Sequence, residues 1–191
     1  MHGPARQGGA RSGAPLVSVS APVGPAAHRL SAPDGPGPTS APARVYLAPG
    51  RLYASGEDVQ VTTILGSCVA VCLWDARAEV GGINHFLLPS GSPASPRFGD
   101  SAVALLIGQV LERGARRGRL AAKVFGGACV LEAFRADTWS LGARNVEIAR
   151  EQLAAAAIPV VGEDVGGDRG RRLVFHVRTG AAWVRPIEMK G

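Results

Sequence analysis

Aromatic side chains make up only 5% of this 191-residue chain, and cysteine occurs 3 times. Single-stranded nucleic-acid surfaces rely on aromatic platforms, and other nucleic-acid binders carry recognition motifs; neither is visible here, so the net charge of +6 does not imply nucleic-acid binding. An odd, small number of cysteines excludes a dense disulfide framework and points to reduced thiols. No apolar run approaches the roughly 18 residues of a membrane span. Residues 1–43 hold no continuous apolar stretch of the kind a secretory signal needs. These absences together lead to an expectation of a cytoplasmic protein with no direct membrane insertion.

The sequence does contain an apolar body behind a biased tail. Residues 1–43 hold eight of the 14 prolines, mixed with Gly, Ala and Ser, and such a segment buries too little apolar surface to offset its ordering entropy. The expectation is a disordered tail over 1–43 and one folded domain over 44–191. Arg113, Arg116, Arg117 and Arg119 form a basic cluster, read as a solvated patch that could face an acidic partner. Strands are expected at Arg44–Ala48, Val59–Ile64, Val69–Asp75, Gly81–Leu88, Leu120–Phe125, Pro159–Gly162, Arg172–Val177 and Ala181–Arg185, from their β-branched and alternating character. Helical spacing of apolar residues predicts helices over Asp100–Arg116, capped by Asp100 or Ser101, and over Asn145–Ala157. That order argues an α+β fold of mainly antiparallel strands with two main helices packed on them.

Only two histidines lie in the body, His85 and His176. His176 shares its strand face with Arg172 and Arg178 and reads as solvated. Cys68 and His85 stand 17 positions apart, at the two ends of a strand–turn–strand segment that can bring a thiol beside an imidazole. A thiol with a nearby imidazole can attack an amide or ester carbonyl. The alternatives are a small buried hydrophobe at Cys68 and a hydrogen-bonded, half-buried histidine at His85. The Gly66-Ser67 turn before Cys68 turns backbone N–H groups out of the ladder, where they could stabilise an oxyanion. Cys72 lies mid-strand and Cys129 has no histidine near it in sequence, so packing explains both. A zinc site on Cys68, Cys72 and His85 conflicts with a strand there: four residues at ~3.3 Å rise separate the thiols by roughly 13 Å. Gly162–Gly170 resembles a phosphate loop superficially. It lacks the Gly-Lys-Ser/Thr ending and is read as a wide turn between strands.

Thr62-x-x-Leu65-Gly66-Ser67-Cys68-Val69-Ala70-Val71 followed by Asn84-His85-Phe86-Leu87-Leu88-Pro89 resembles the signature of the CheD family, the chemoreceptor glutamine deamidases of bacterial chemotaxis. Further matches are Lys123–Ala128, Leu141–Asn145, Glu163–Gly167 and Gly170–Phe175, so the resemblance covers about residues 45–186. It implies an α/β/β layered sandwich of the Cys–His deamidase kind, no cofactor and no metal. It implies a catalytic set of Cys68, His85 and, six positions before the cysteine, Thr62. Thr63 is the rival, since successive strand residues point to opposite faces and only one of the two can reach the imidazole. The implied reaction is hydrolysis of receptor glutamine side chains to glutamate with ammonia release, a protein-glutamine glutaminase activity, with methylesterase activity as a side reaction. The implied partners are the cytoplasmic helices of methyl-accepting chemoreceptors and a CheC phosphatase. A non-catalytic adaptor docking on CheC or on receptors is the alternative from another class.

Overall fold

The computed structural model describes residues 41–129 and 140–187 and the backbone of Val17–Val19. Ten strands, β1 (Val17–Val19), β2 (Ala43–Tyr46), β3 (Arg51–Ser55), β4 (Val59–Leu65), β5 (Val69–Asp75), β6 (Val80–His85), β7 (Ala121–Gly126), β8 (Val160–Val165), β9 (Arg171–His176) and β10 (Ala182–Pro186), join two helices, α1 (Gly99–Glu112) and α2 (Leu141–Ala155). The strands form two five-stranded sheets, ordered β1-β10-β9-β4-β2 and β3-β6-β5-β7-β8. The β2–β4 and β7–β8 pairs are parallel, and every other pairing is antiparallel. Both helices pack on the second sheet, whose other face meets the first sheet. The result is the expected α/β/β sandwich.

Side-chain alternation explains the layering. In β4, Val59, Val61, Thr63 and Leu65 are buried between the sheets, while Thr62 is half-buried and Ile64 exposed. Strand β5 is buried at every position because it is covered on both faces. Its Val69, Val71 and Leu73 meet the helices, and its Ala70 and Cys72 meet the first sheet.

Some elements differ from expectation. The segment Arg51–Ser55 has no β-branched residue, yet it forms edge strand β3, paired with β6. Most of the tail lies outside the described residues, but Val17–Val19 pairs antiparallel with β10, as an alternating Val-Ser-Val suits an open sheet edge. Neither Asp100 nor Ser101 caps α1: Phe98 holds that position, Asp100 accepts from the Gly91 N–H, and Ser101 donates to Ser95 O. Helix α1 stops at Arg113, before Gly114 with φ 99°.

The basic cluster is partly structural. Arg119 reaches in to the buried Asp75 carboxylate at 2.9 Å, which also accepts from the backbone of Arg77, Ala78 and Arg116. Burial alone would raise the Asp75 pKa, but the Arg116 N–H, the Arg119 guanidinium and the two turn N–H groups outweigh it and hold it at about 2.

Helix α2 starts earlier than predicted because Ser140 caps it, accepting from the Ala143 N–H at 3.3 Å. Among the described residues no helix is long and apolar enough to cross a membrane.

Candidate active site

The chain passes from the first sheet to the second at Gly66-Ser67-Cys68, between β4 and β5, and Cys68 sits at that corner. The same corner is pinned by the returning segment after β7. Gly127 N–H donates to Cys68 O and Ala128 N–H to Gly66 O, each at 2.8 Å. Gly126 (φ 108°) and Gly127 (φ 68°) adopt left-handed backbone there, and a side chain on Gly126 would meet the Cys68 carbonyl. Gly142 in the first turn of α2 lies against the Gly127 and Ala128 carbonyls, so the helix packs backbone to backbone on this segment.

His85 ends β6, on the strand next to β5. Val69 and Phe86 exchange backbone hydrogen bonds at 3.2 and 3.0 Å, which sets Cys68 and His85 as diagonal neighbours on the face toward the first sheet. Diagonal pairs stand roughly 7–8 Å apart at Cα and closer at Cβ. Beside them the Asn84 carboxamide enters the ladder, accepting from the Val71 N–H at 2.8 Å.

Across the sandwich, Thr63 Oγ1 lies 2.8 Å from His85 Nδ1 and 2.8 Å from Leu47 O. Thr62, the residue implied by the six-position spacing, belongs to the outward set of β4 and makes no hydrogen bond to His85. The apolar parity Val59/Val61/Leu65 already held the signal, because it puts Thr63 on the inner face.

The hydroxyl fixes the tautomer. Its single proton goes to the Leu47 carbonyl, so Oγ1 accepts from Nδ1–H and Nε2 carries the ring's lone pair. His85 is 1% exposed, and its Nε2 has no hydrogen-bond partner among the described residues. Burial lowers the imidazole pKa to about 4. Burial likewise raises the Cys68 thiol, partly opposed by its own backbone N–H. Both shifts favour the uncharged forms, a thiol at Cys68 and a neutral imidazole at His85. Cys68 is half-buried.

The other candidates are placed elsewhere. Cys72 is fully buried between the sheets, with its thiol pushed well up by burial despite nearby Lys123. Cys129 follows the Gly126–Ala128 segment and donates its N–H to Gly167 O. His176 lies on the first sheet between Asp58 (2.8 Å) and Thr179 (2.9 Å), a partnered position rather than a solvated one. The Gly162–Gly170 stretch ends β8 and turns at Gly166-Gly167, where Arg171 binds Asp164 and the Gly166 carbonyl. Among the described residues no group of three or more His, Cys, Asp or Glu could hold a metal ion.

Sequence reasoning missed Asn145. It is fully buried on α2, and its Nδ2 donates to Ser67 O and Leu87 O, both at 2.9 Å. An asparagine on the helix stripe of Gly142, Val146, Ala149 and Leu153 was the available signal.

Residues 87–186 match the family model described as CheD chemotactic sensory transduction. A protein of Anaeromyxobacter dehalogenans named "Probable chemoreceptor glutamine deamidase CheD 1" is 53% identical over 147 residues, 76% of this chain and 85% of that protein. One of Trichlorobacter lovleyi, named "Probable chemoreceptor glutamine deamidase CheD", is 46% identical over 140 residues, 72% of this chain and 86% of that protein. Among solved structures, the Bacillus licheniformis hypothetical protein YfiH is similar over 70% of this chain and 59% of its own, at 13% identity and a TM-score of 0.43. With a family model matched over half its length and relatives covered over most of theirs, this chain belongs to the CheD family.

Proposed function

We propose that this chain is a chemoreceptor glutamine deamidase with Cys68 as nucleophile, His85 as general base and acid, and Thr63 as the residue that orients the imidazole. The observation that carries the reading is the Thr63–His85 hydrogen bond, which leaves the lone pair on a buried Nε2 that has no other partner among the described residues. The names of the relatives support the substrate.

In the proposed reaction His85 Nε2 takes the Cys68 proton as sulfur attacks the glutamine Cδ. A neutral starting pair suits general-base attack rather than a standing thiolate–imidazolium pair. The carbonyl electron pair moves onto oxygen, and backbone N–H groups of the Ser67–Cys68 turn stabilise it. The imidazolium then protonates the departing amide nitrogen, ammonia leaves, and a thioester remains. His85 next takes a proton from water, hydroxide adds to the thioester, and Cys68 leaves and is reprotonated. The product is a glutamate, a new negative charge on a receptor helix. A glutamate methyl ester would follow the same path with methanol as leaving group.

The proposed site of action is the cytoplasm, in keeping with a substrate on receptor cytoplasmic helices. Docking on a CheC phosphatase extends the reading, and a Cys68→Ala protein that still raised phosphatase activity would separate docking from chemistry. The test of the catalytic reading is ammonia release from a receptor cytoplasmic fragment by wild type, Cys68→Ala and His85→Ala. Release by wild type alone supports it; equal release by Cys68→Ala sinks it.

A further inference from the structure

The two peptide bonds that flank Cys68 are held differently. The one after it is fixed at both ends, since Cys68 O accepts from Gly127 N–H at 2.8 Å and Val69 N–H donates to Phe86 O at 3.2 Å. In the one before it, Asn145 Nδ2 is the group among the described residues that holds the Ser67 carbonyl, at 2.9 Å. A trans peptide is planar, with its C=O and N–H pointing in opposite directions. Anchoring Ser67 O toward α2 therefore aims the Cys68 N–H away from the helix. The same Nδ2 donates at 2.9 Å to Leu87 O, on the segment that continues from His85. One amide thus ties the turn of the nucleophile to the strand of the base. Its orientation is fixed, because a flipped carboxamide would set Oδ1 against two carbonyl oxygens. Asn145 is fully buried and its Oδ1 has no partner among the described residues, so the group is retained at a desolvation cost. Ser140, which caps α2, and the close Gly142–Gly127 contact set the helix at the depth this reach requires.

We propose that Asn145 is a positioning residue that orients the Ser67–Cys68 peptide so that the Cys68 N–H serves as an oxyanion donor. The inference rests on the deamidase reading. Loss of one oxyanion donor costs ~10²–10³-fold in kcat. Asn145→Ala is therefore expected to lower the kcat of deamidation by about 100-fold with KM little changed. Alkylation of Cys68 by iodoacetamide needs no oxyanion donor and should proceed at the wild-type rate. Asn145→Ser keeps one donor, gives a second chance of a folded protein, and should recover part of the loss.

The experiment measures kcat, KM, alkylation rate and far-UV circular dichroism for both variants beside wild type. A fall in kcat alone, partly rescued by serine, supports the proposal. Unchanged kcat in a wild type that does deamidate overturns it and leaves the deamidase reading standing. So does kcat and alkylation changing together with loss of fold in both variants, since that is a structural role only. A wild type that releases no ammonia removes the deamidase reading and this inference with it.

Discussion

Thr63→Val is close to isosteric and removes one hydroxyl from a fully buried site. Two hydrogen bonds go with it, the one to Leu47 O and the one from His85 Nδ1. During proton transfer the imidazole becomes an imidazolium, so the bond strengthens from about 0.5–1.5 to about 1.5–3 kcal/mol, and only that gain of about 1–1.5 kcal/mol reaches kcat. At about 1.4 kcal/mol per tenfold, that is roughly a 5- to 12-fold fall in kcat. Stability should also drop, by about 1–3 kcal/mol for each buried group left unpaired. Thr63→Ser returns the hydroxyl and should recover most of the rate. Thr62→Val, on the outward face, should shift stability by no more than about 0.5 kcal/mol and leave kcat alone. The assay is ammonia release on a receptor cytoplasmic fragment, with urea unfolding as the stability readout. Full activity in Thr63→Val, or its loss in Thr62→Val, would refute the assignment of the threonine.

Other expectations follow from the same geometry. The buried, neutral His85 stabilises the fold above its unfolded pKa, because the unfolded chain takes up the proton first as pH falls. That contribution, about 3 kcal/mol from an imidazole lowered from 6.5 to about 4, should be lost across that window in wild type and absent in His85→Phe, as urea titrations from pH 7 to pH 4 would show. Asp75 acts at lower pH: its carboxyl, held at about 2 against an ordinary 3.8, should contribute stability that falls away below pH 4, and Asp75→Asn should flatten that limb of the acid unfolding curve. Ala157, just past the C-cap Ala156 of α2, has φ 54°, and Ile158 N–H there reaches Leu153 O at 3.0 Å, so Ala157→Gly should stabilise the protein by about 0.5–1 kcal/mol in thermal melts. His176→Ala should leave deamidation unchanged, since its partners Asp58 and Thr179 belong to the first sheet and not to the Cys68 corner; a large loss of rate would contradict that separation.

Much of this was legible because alternation and helical spacing report burial directly. Val69–Asp75 was predicted with its observed boundaries, since seven successive buried residues bound by turns leave little choice. Edge strand β3 was not legible: Arg51–Ser55 is half-buried and lacks β-branched residues, and its order comes from pairing with β6. The start of α2 was placed at Asn145, four residues late, because the apolar spacing begins there, whereas Ser140 caps the helix and Gly142 in its first turn meets Gly127. At the candidate site, the six-position spacing favoured Thr62, whereas strand parity puts Thr63 on the inner face, where it bonds His85. Asn145 escaped because its partners lie 78 and 58 residues away, and only the tertiary fold joins them.

The measurement that bears most directly on the central claim is mass spectrometry of a chemoreceptor cytoplasmic fragment after incubation with this protein, beside a Cys68→Ala control. The account predicts a mass gain of about 1 Da at specific glutamines, the change from a side-chain amide to an acid by the cysteine route, with ammonia released and only when Cys68 is intact. Conversion that persists in Cys68→Ala, or none at any glutamine with the wild-type protein, would contradict it.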